Sequence, residues 1–302
     1  MTFKAFCPHP FIRGGRLQTI FGNMSKKSQQ LIPDEEFQIT PKIQLTMNIP
    51  RISDIRTPIV LMVGSSSSEG SSSAMTRQAV KILQQGVRTA QLCYDHREDW
   101  WKESGTAPLK TSLELIYQAY PEAPVWLMGT STSANIILNL LGQHPKSFPT
   151  LKCAMAVCPI LDLEKASARC TQLPNVLWNR VSGGKLFRNL VVDKLPTPPT
   201  RQQALPSGKR NASLTQKIEV PTTVIVSEDD PLNDINAALK TPFSDAITLQ
   251  IEKSGGHAGF ISHEKTNYND SFWLDHRFVE WVKSNSEAPQ RIEDPEYQPL
   301  LI

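Results

Sequence analysis

Apolar residues along this chain fall into short continuous runs separated by longer amphipathic stretches. Pro58-Ile-Val-Leu-Met-Val63 is apolar throughout, the pattern of a strand buried on both faces. Met75 to Gln85 carries Ala79, Val80, Ile82 and Leu83 at helical spacing and stops at Gly86, a residue suited to a left-handed helix end. Thr89–Tyr94 then reads as a strand. Leu113, Ile116, Tyr117 and Tyr120 stand at i, i+3, i+4 and i+7, one face of a helix. The rhythm continues with strand Val125–Met128, a helix over 132–141 and strand Cys153–Val157. It resumes with strands Thr222–Val226 and Ile247–Ile251 around a helix over 234–239. A final helix over 272–283 turns Phe278, Trp281 and Val282 inward.

Strand and helix alternating in this way predict an α/β fold, a mostly parallel sheet covered by helices on both faces. Two regions depart from the alternation. Residues 164–217, including LPTPPTRQQALPSGKR, are rich in proline and polar residues and read as a cap or lid insertion. Residues 1–50 read as an extension packed on the core with one weak strand, Ile43–Met47. The core is then 51–163 with 218–284, and 285–302 is a peripheral tail.

Composition narrows the function. The net charge is +3, from 32 Lys and Arg against 29 Asp and Glu over 302 residues, and no basic run exceeds a pair, so a nucleic-acid partner is not expected. No apolar run reaches the ~18 residues that span a bilayer, and the first residues lack a signal-peptide core, so the expectation is a cytoplasmic protein without an integral membrane segment. Five cysteines without paired spacing disfavour disulfide frameworks and zinc motifs. Cys153 and Cys158 read as small hydrophobes in an apolar run. No histidine pair has metal-ligand spacing with a third partner, and neither a metal nor a cofactor is expected. Oligomeric state is not readable.

The candidate chemistry begins at Gly129-Thr-Ser-Thr-Ser133, between a strand and a helix. A serine on a sharp strand-to-helix turn is a nucleophile-presenting device, and it needs small residues two before and two after it. Gly129 meets the first requirement and Ser133 replaces the glycine of the second. The turn alone is equally readable as an N-cap built from Ser or Thr side chains. Two downstream features favour a nucleophile. Thr222–Val226 runs into Ser227-Glu-Asp-Asp-Pro-Leu232, and Ile247–Ile251 runs towards Gly255-Gly-His-Ala-Gly-Phe260. Serine, acid and histidine thus follow in the chain order of one group of serine hydrolases, each just past a strand. Ser131 is the candidate nucleophile and His257 its base; Asp230, preferred over the adjacent Asp229, is the candidate orienting acid. Of the other histidines, His96 follows a strand end and is a minor candidate for lining the site, while His9, His144, His263 and His276 read as solvated.

These motifs resemble the YheT-like branch of the α/β-hydrolase superfamily, which also holds animal abhydrolase-domain lipases and yeast medium-chain ethyl ester synthases. Arg16-Leu-Gln-Thr-Ile-Phe-Gly22 resembles that branch's H-L-Q-T-I-F-G, Gly129–Asn135 its G-x-S-x-G-G-N, Ser227–Leu232 its x-x-D-D-P-F, and Gly255–Phe260 its G-G-H-V-G-F. Trp273-Leu-Asp-x-Arg277 with Trp281 is similar to its closing W-L-x-x-R. The resemblance implies an α/β-hydrolase fold and a Ser131, Asp230, His257 triad. It implies cleavage of carboxylic esters, short- or medium-chain acyl esters or lipids, or transfer of their acyl group to an alcohol. Departures surround the triad. Val63-Gly-Ser-Ser-Ser-Ser-Glu-Gly-Ser71 stands where the branch carries H-G-L-E-G-S, Tyr94-Asp-His-Arg replaces its F-R-G-x-S-G, and Ser133 and Ala134 replace both elbow glycines. The expected oxyanion hole, built of backbone amides, combines Thr132 with Ser65 beyond Gly64. These departures also admit a hydrolase-fold binding protein without turnover.

Overall fold

Alternate residues of each central strand serve opposite faces of one sheet, and this divides the core in two. The computed structural model describes residues 6–23, 31–41, 43–66, 73–95, 105–162, 165–166, 169 and 213–286. In chain order the elements are α1 (Gly15–Asn23), β1 (Glu35–Thr40), β2 (Ile43–Asn48), β3 (Ile59–Ser66), α2 (Ser73–Leu83), β4 (Arg88–Asp95) and α3 (Thr106–Ala119). They continue with β5 (Val125–Thr130), α4 (Thr132–Gln143), β6 (Leu151–Val157), β7 (Thr222–Ser227), α5 (Ile235–Lys240), β8 (Ile247–Glu252) and α6 (Trp273–Asn285). The proposed cap, the tail, His96 and most of the serine-rich loop lie largely or wholly outside the described residues.

The strands form one eight-stranded sheet in the order β1-β2-β4-β3-β5-β6-β7-β8. All pairings from β4 to β8 are parallel, and only β1–β2 and β2–β4 are antiparallel. The predicted mostly parallel α/β architecture is therefore present. Ile59, Leu61 and Val63 of β3 join Val125 and Leu127 of β5 in one core layer with α3 and α4. Val60, Met62, Trp126 and Met128 join the other layer, with α2 and α6. Burial of each such side chain contributes on the order of 1.5–3 kcal/mol, which explains why uninterrupted apolar runs were needed. On α3, Tyr117 faces outward, unlike the buried Leu113 and Ile116.

Two elements were not predicted. Strand β1, EEFQIT, pairs with β2 at the sheet edge. Helix α1 buries Gly15, Gln18, Thr19 and Gly22, at i, i+3, i+4 and i+7, while Leu17 and Phe21 are 41% and 43% exposed. Its buried face is therefore polar and glycine-lined, the reverse of an ordinary amphipathic helix.

A buried ionic network joins α2 to α6 and to the turn that precedes it. Lys81 Nζ donates to Asp270 (2.6 Å) and Asp275 (2.9 Å), Gln78 donates to Asp275 (3.0 Å), and Arg77 completes the group on Asp275. Removing one partner would strand a buried charge, which makes this a rigid junction rather than a source of net stability. Among the described residues no helix is long and apolar enough to cross a membrane.

Because β5 to β8 are parallel, their carboxyl ends share one rim, with Thr130 level with Val157 and Ser227 level with Glu252. Segments more than a hundred residues apart in sequence leave the sheet side by side there.

Candidate active site

Ser131 occupies the single residue between β5 and α4, with φ 58° and ψ −125°. This is a sparsely populated backbone conformation for a residue with a side chain, and it persists only where neighbouring structure over-determines it. Here the Ser131 amide donates to Val157 O at 2.8 Å. Asn135 also binds both backbone groups of Ile160, its amide donating to the carbonyl and its carbonyl accepting the N–H, each at 2.8 Å. A Cβ added to Gly129 would lie 3.1 Å from Ser133 Cβ and 3.0 Å from Ile137 Cδ1. Gly129 thus leaves the room that Ser133 uses, and the missing second glycine does not distort the turn. The Ser131 side chain makes no capping bond to the helix it precedes, so the N-cap reading of the serine does not hold.

The hydroxyl instead meets His257, with Oγ to Nε2 at 2.8 Å. On the other edge of the ring, Nδ1 lies 2.8 Å from Asp230 Oδ2. Asp230 accepts further bonds from the Leu232 amide (2.7 Å), the Asn233 amide (3.0 Å) and Asn233 Nδ2 (2.9 Å). Burial by itself would raise the Asp230 pKa, but the His257 imidazole and these amides outweigh it and hold the carboxyl below its ordinary range. Asp229 does not reach His257. Its Oδ1 accepts from the Gly256 amide (2.9 Å) and from Ser227 Oγ (3.1 Å), so it braces the histidine loop.

That loop is held by helix α1. The His257 amide donates to Thr19 Oγ at 2.7 Å, and Thr19 in turn donates to Gly15 O. Gln18 accepts from the Ile261 amide and donates to its carbonyl. The contact is too close for side chains. A Cβ on Gly256 would fall 2.1 Å from Gly15 O, one on Gly259 2.0 Å from Gln18 O, and one on Gly22 2.4 Å from Gly259 Cα. Gly256 also has φ +62°, which disfavours any side chain there. The glycines do surround His257 with backbone, yet the ring is buried, because α1 closes over them. The RLQTIFG segment thus clamps the His257 loop, a contact its apolar pattern did not reveal.

Of the predicted oxyanion residues, Thr132 is the first residue of α4, whose leading amides have no partner within the helix and lie at the positive end of its dipole. Gly64 and Ser65 lie at the end of β3, where Val63 is the last residue paired with β5. A Cβ on Gly64 would meet Met75 Cε at 2.4 Å, so glycine lets α2 approach the strand end.

Cys158 is the small buried residue its apolar run implied, and it also adjoins the histidine. Cys158, at the end of β6 with φ 49°, is fully buried against the pair. Its thiol donates to Gly256 O at 3.8 Å, and burial, reinforced by the Asp230 charge, pushes its pKa well above the ordinary value. Its sulfur, an Asp230 carboxylate oxygen and a His257 ring nitrogen all lie within 4.8 Å of one another. Sequence spacing could not expose this group, since its members leave three different strands. Of the remaining histidines, His263 is exposed, while His9, His144 and His276 are partly buried rather than fully solvated.

No family model matches the chain. Among solved structures it is similar to the Pyrococcus furiosus esterase Pf2001, with TM-score 0.54 and 16% identity over 87% of this chain and 98% of that one. It is also similar to 2,6-dihydroxy-pseudo-oxynicotine hydrolase (TM-score 0.56, 14% identity, 92% and 75% covered) and to Est1E from Butyrivibrio proteoclasticus (TM-score 0.52, 11% identity, 85% and 98% covered). At these identities the likeness is one of fold. The chain has the α/β-hydrolase fold.

Proposed function

We propose that this protein is a serine hydrolase of carboxylic esters, related to the YheT-like branch, with Ser131 as nucleophile, His257 as general base and Asp230 as the acid that orients it. The observation carrying this reading is the continuous relay from Ser131 Oγ through both ring nitrogens of His257 to Asp230 Oδ2, each link 2.8 Å. A serine hydroxyl is a weak nucleophile until a base accepts its proton, and a base is selective only when a third group fixes its tautomer. Asp230 accepts from Nδ1–H, which leaves the Nε2 lone pair for the serine proton.

In the first half-reaction Ser131 Oγ attacks the ester carbonyl carbon while its proton passes to His257 Nε2. The negative charge on the carbonyl oxygen is met by the Thr132 amide, aided by the α4 dipole, and by the Ser65 amide. Collapse of this intermediate breaks the bond to the alcohol, which departs with the proton from Nε2. Water then repeats the sequence on the acyl-enzyme, releasing the carboxylic acid and restoring Ser131. Losing one oxyanion donor costs roughly 2.7–4 kcal/mol in the transition state, so the altered loop after Gly64 tunes the rate that the triad makes possible. The expected substrates are short- or medium-chain acyl esters or lipids.

Activity-based labelling with a fluorophosphonate, followed by mapping of the modified peptide, tests the assignment. Label on Ser131, absent from Ser131→Ala, is the expected result. Equal labelling of both proteins would place the reactive nucleophile elsewhere and overturn the assignment, and no labelling of either would point to a binding protein on a hydrolase scaffold.

A further inference from the structure

Among the described residues, Cys158, Asp230 and His257 form the one group of three metal-ligating side chains with donor atoms within 4.8 Å of each other. A thiol, a carboxylate and an imidazole are the donor types that zinc and cadmium select. Tetrahedral coordination at bond lengths of ~2.0–2.3 Å sets donor atoms about 3.3–3.7 Å apart. Binding an ion therefore opens the His257 Nδ1–Asp230 Oδ2 edge from its present 2.8 Å and draws in the Cys158 sulfur, which lies within 4.8 Å of a donor atom on each. Three protein donors leave a fourth position for water.

We propose that Cys158, Asp230 and His257 form a latent site for a thiophilic divalent cation, zinc or cadmium, and that its occupation switches off the centre at Ser131. The ion replaces the proton that now lies between His257 Nδ1 and Asp230. That proton moves to Nε2, and the Cys158 thiol releases its own proton to solvent as the sulfur–metal bond forms. No electron transfer is involved. With Nε2 protonated, His257 can only donate to Ser131 Oγ and has no lone pair left to accept the serine proton. The same Asp230 that selects the productive tautomer through a hydrogen bond selects the unproductive one through the metal.

All three side chains are buried, so an ion reaches them only when the Gly255–Phe260 loop opens locally. Inhibition therefore has a slow onset, unlike competition at the partly exposed serine. Metal binding at this site shares Asp230 and His257 with the proposed triad but does not require that the protein be an esterase. Its inhibitory consequence rests on that reading.

The experiment uses the full chain carrying Cys7→Ser, because Cys7 is an exposed thiol that would bind cadmium on its own. Cadmium chloride is titrated while the ultraviolet thiolate-to-cadmium charge-transfer band is followed. Fluorophosphonate labelling is timed in parallel. The expected result is one equivalent bound, labelling slowed at least tenfold after preincubation, and both effects reversed by EDTA. Cys158→Ala removes both, and Cys158→Ser, which keeps the volume, provides a second test should the alanine variant fold poorly. A band that persists in both variants, or none in the parent, overturns the site. Binding without slower labelling overturns the inhibition. A Cys158-dependent band in a protein that never labels at Ser131 would refute the hydrolase reading and leave the metal site standing.

Discussion

The serine turn and the histidine loop present their side chains to each other with equal closeness, yet they are held by opposite means. Ser131 is supported locally. A strand, one strained residue and a helix place it, and Gly129, Ser133 and Asn135 are all within four residues. His257 has no regular element of its own. Its amide is held by Thr19, 238 residues earlier in the chain, and its flanking glycines lie against the backbone of α1. Local placement leaves room for a nearby side chain, since Ser133 Cβ occupies the space that Gly129 leaves open. Placement by backbone-to-backbone packing tolerates no added atom.

The largest effect tests whether the two supports serve one catalytic unit. Ser131→Ala and His257→Ala should each lower kcat for a p-nitrophenyl ester by about 10⁴- to 10⁶-fold, and the double variant should be no slower than the worse single one. Losses that multiply in the double variant would show the two residues acting independently. Next in size is Gly256→Ala. Its Cβ would lie 2.1 Å from Gly15 O on a backbone with φ +62°, so destabilisation of about 2–4 kcal/mol is expected in urea unfolding. An unchanged midpoint would mean that α1 does not clamp the loop.

Most of the parallel sheet was legible because β3, β5, β6 and β7 carry apolar runs, β4 and β8 space apolar residues along short β-rich stretches, and the longer covering helices have an apolar stripe. The serine, acid and histidine were legible because each lies just past such a run, in local motifs. Helix α1 was not legible. Hydropathy reads Leu17 and Phe21 as its inner face, whereas Gly15, Gln18, Thr19 and Gly22 are buried against the Gly255–Phe260 loop. The buried partner there is backbone, which rewards small and hydrogen-bonding residues and leaves no apolar period to detect. Strand β1 was missed because its burial alternates only partially at the sheet edge. The choice between Asp229 and Asp230 needed coordinates, since adjacent carboxylates differ only in which way the chain turns them. Cys158 was read as packing because a cysteine in an apolar run carries no trace of what two other loops bring to it.

A smaller perturbation isolates the clamp. Thr19→Val keeps the shape of the side chain and removes the acceptor of the buried His257 amide. An unpaired buried amide costs about 1–3 kcal/mol. If α1 positions the base, kcat should fall roughly tenfold with KM unchanged and Thr19→Ser should restore it, since the serine hydroxyl supplies the same acceptor. A loss of stability with kcat intact would reduce Thr19 to a structural residue.

The smallest effect is expected on the serine side, and its smallness is the point. Ser133→Gly restores the glycine usual two residues after such a serine. Gly129 already accommodates the Ser133 Cβ, at 3.1 Å from where its own would stand, so the substitution relieves no clash. Glycine in a helix costs about 0.5–1 kcal/mol relative to alanine, and a loss of that order in thermal unfolding is expected, with kcat changed less than about twofold. A tenfold gain in kcat would instead mean that Ser133 holds the nucleophile off its productive geometry. The local support would then be as intolerant as the distant one, and the contrast between the two halves of the site would disappear.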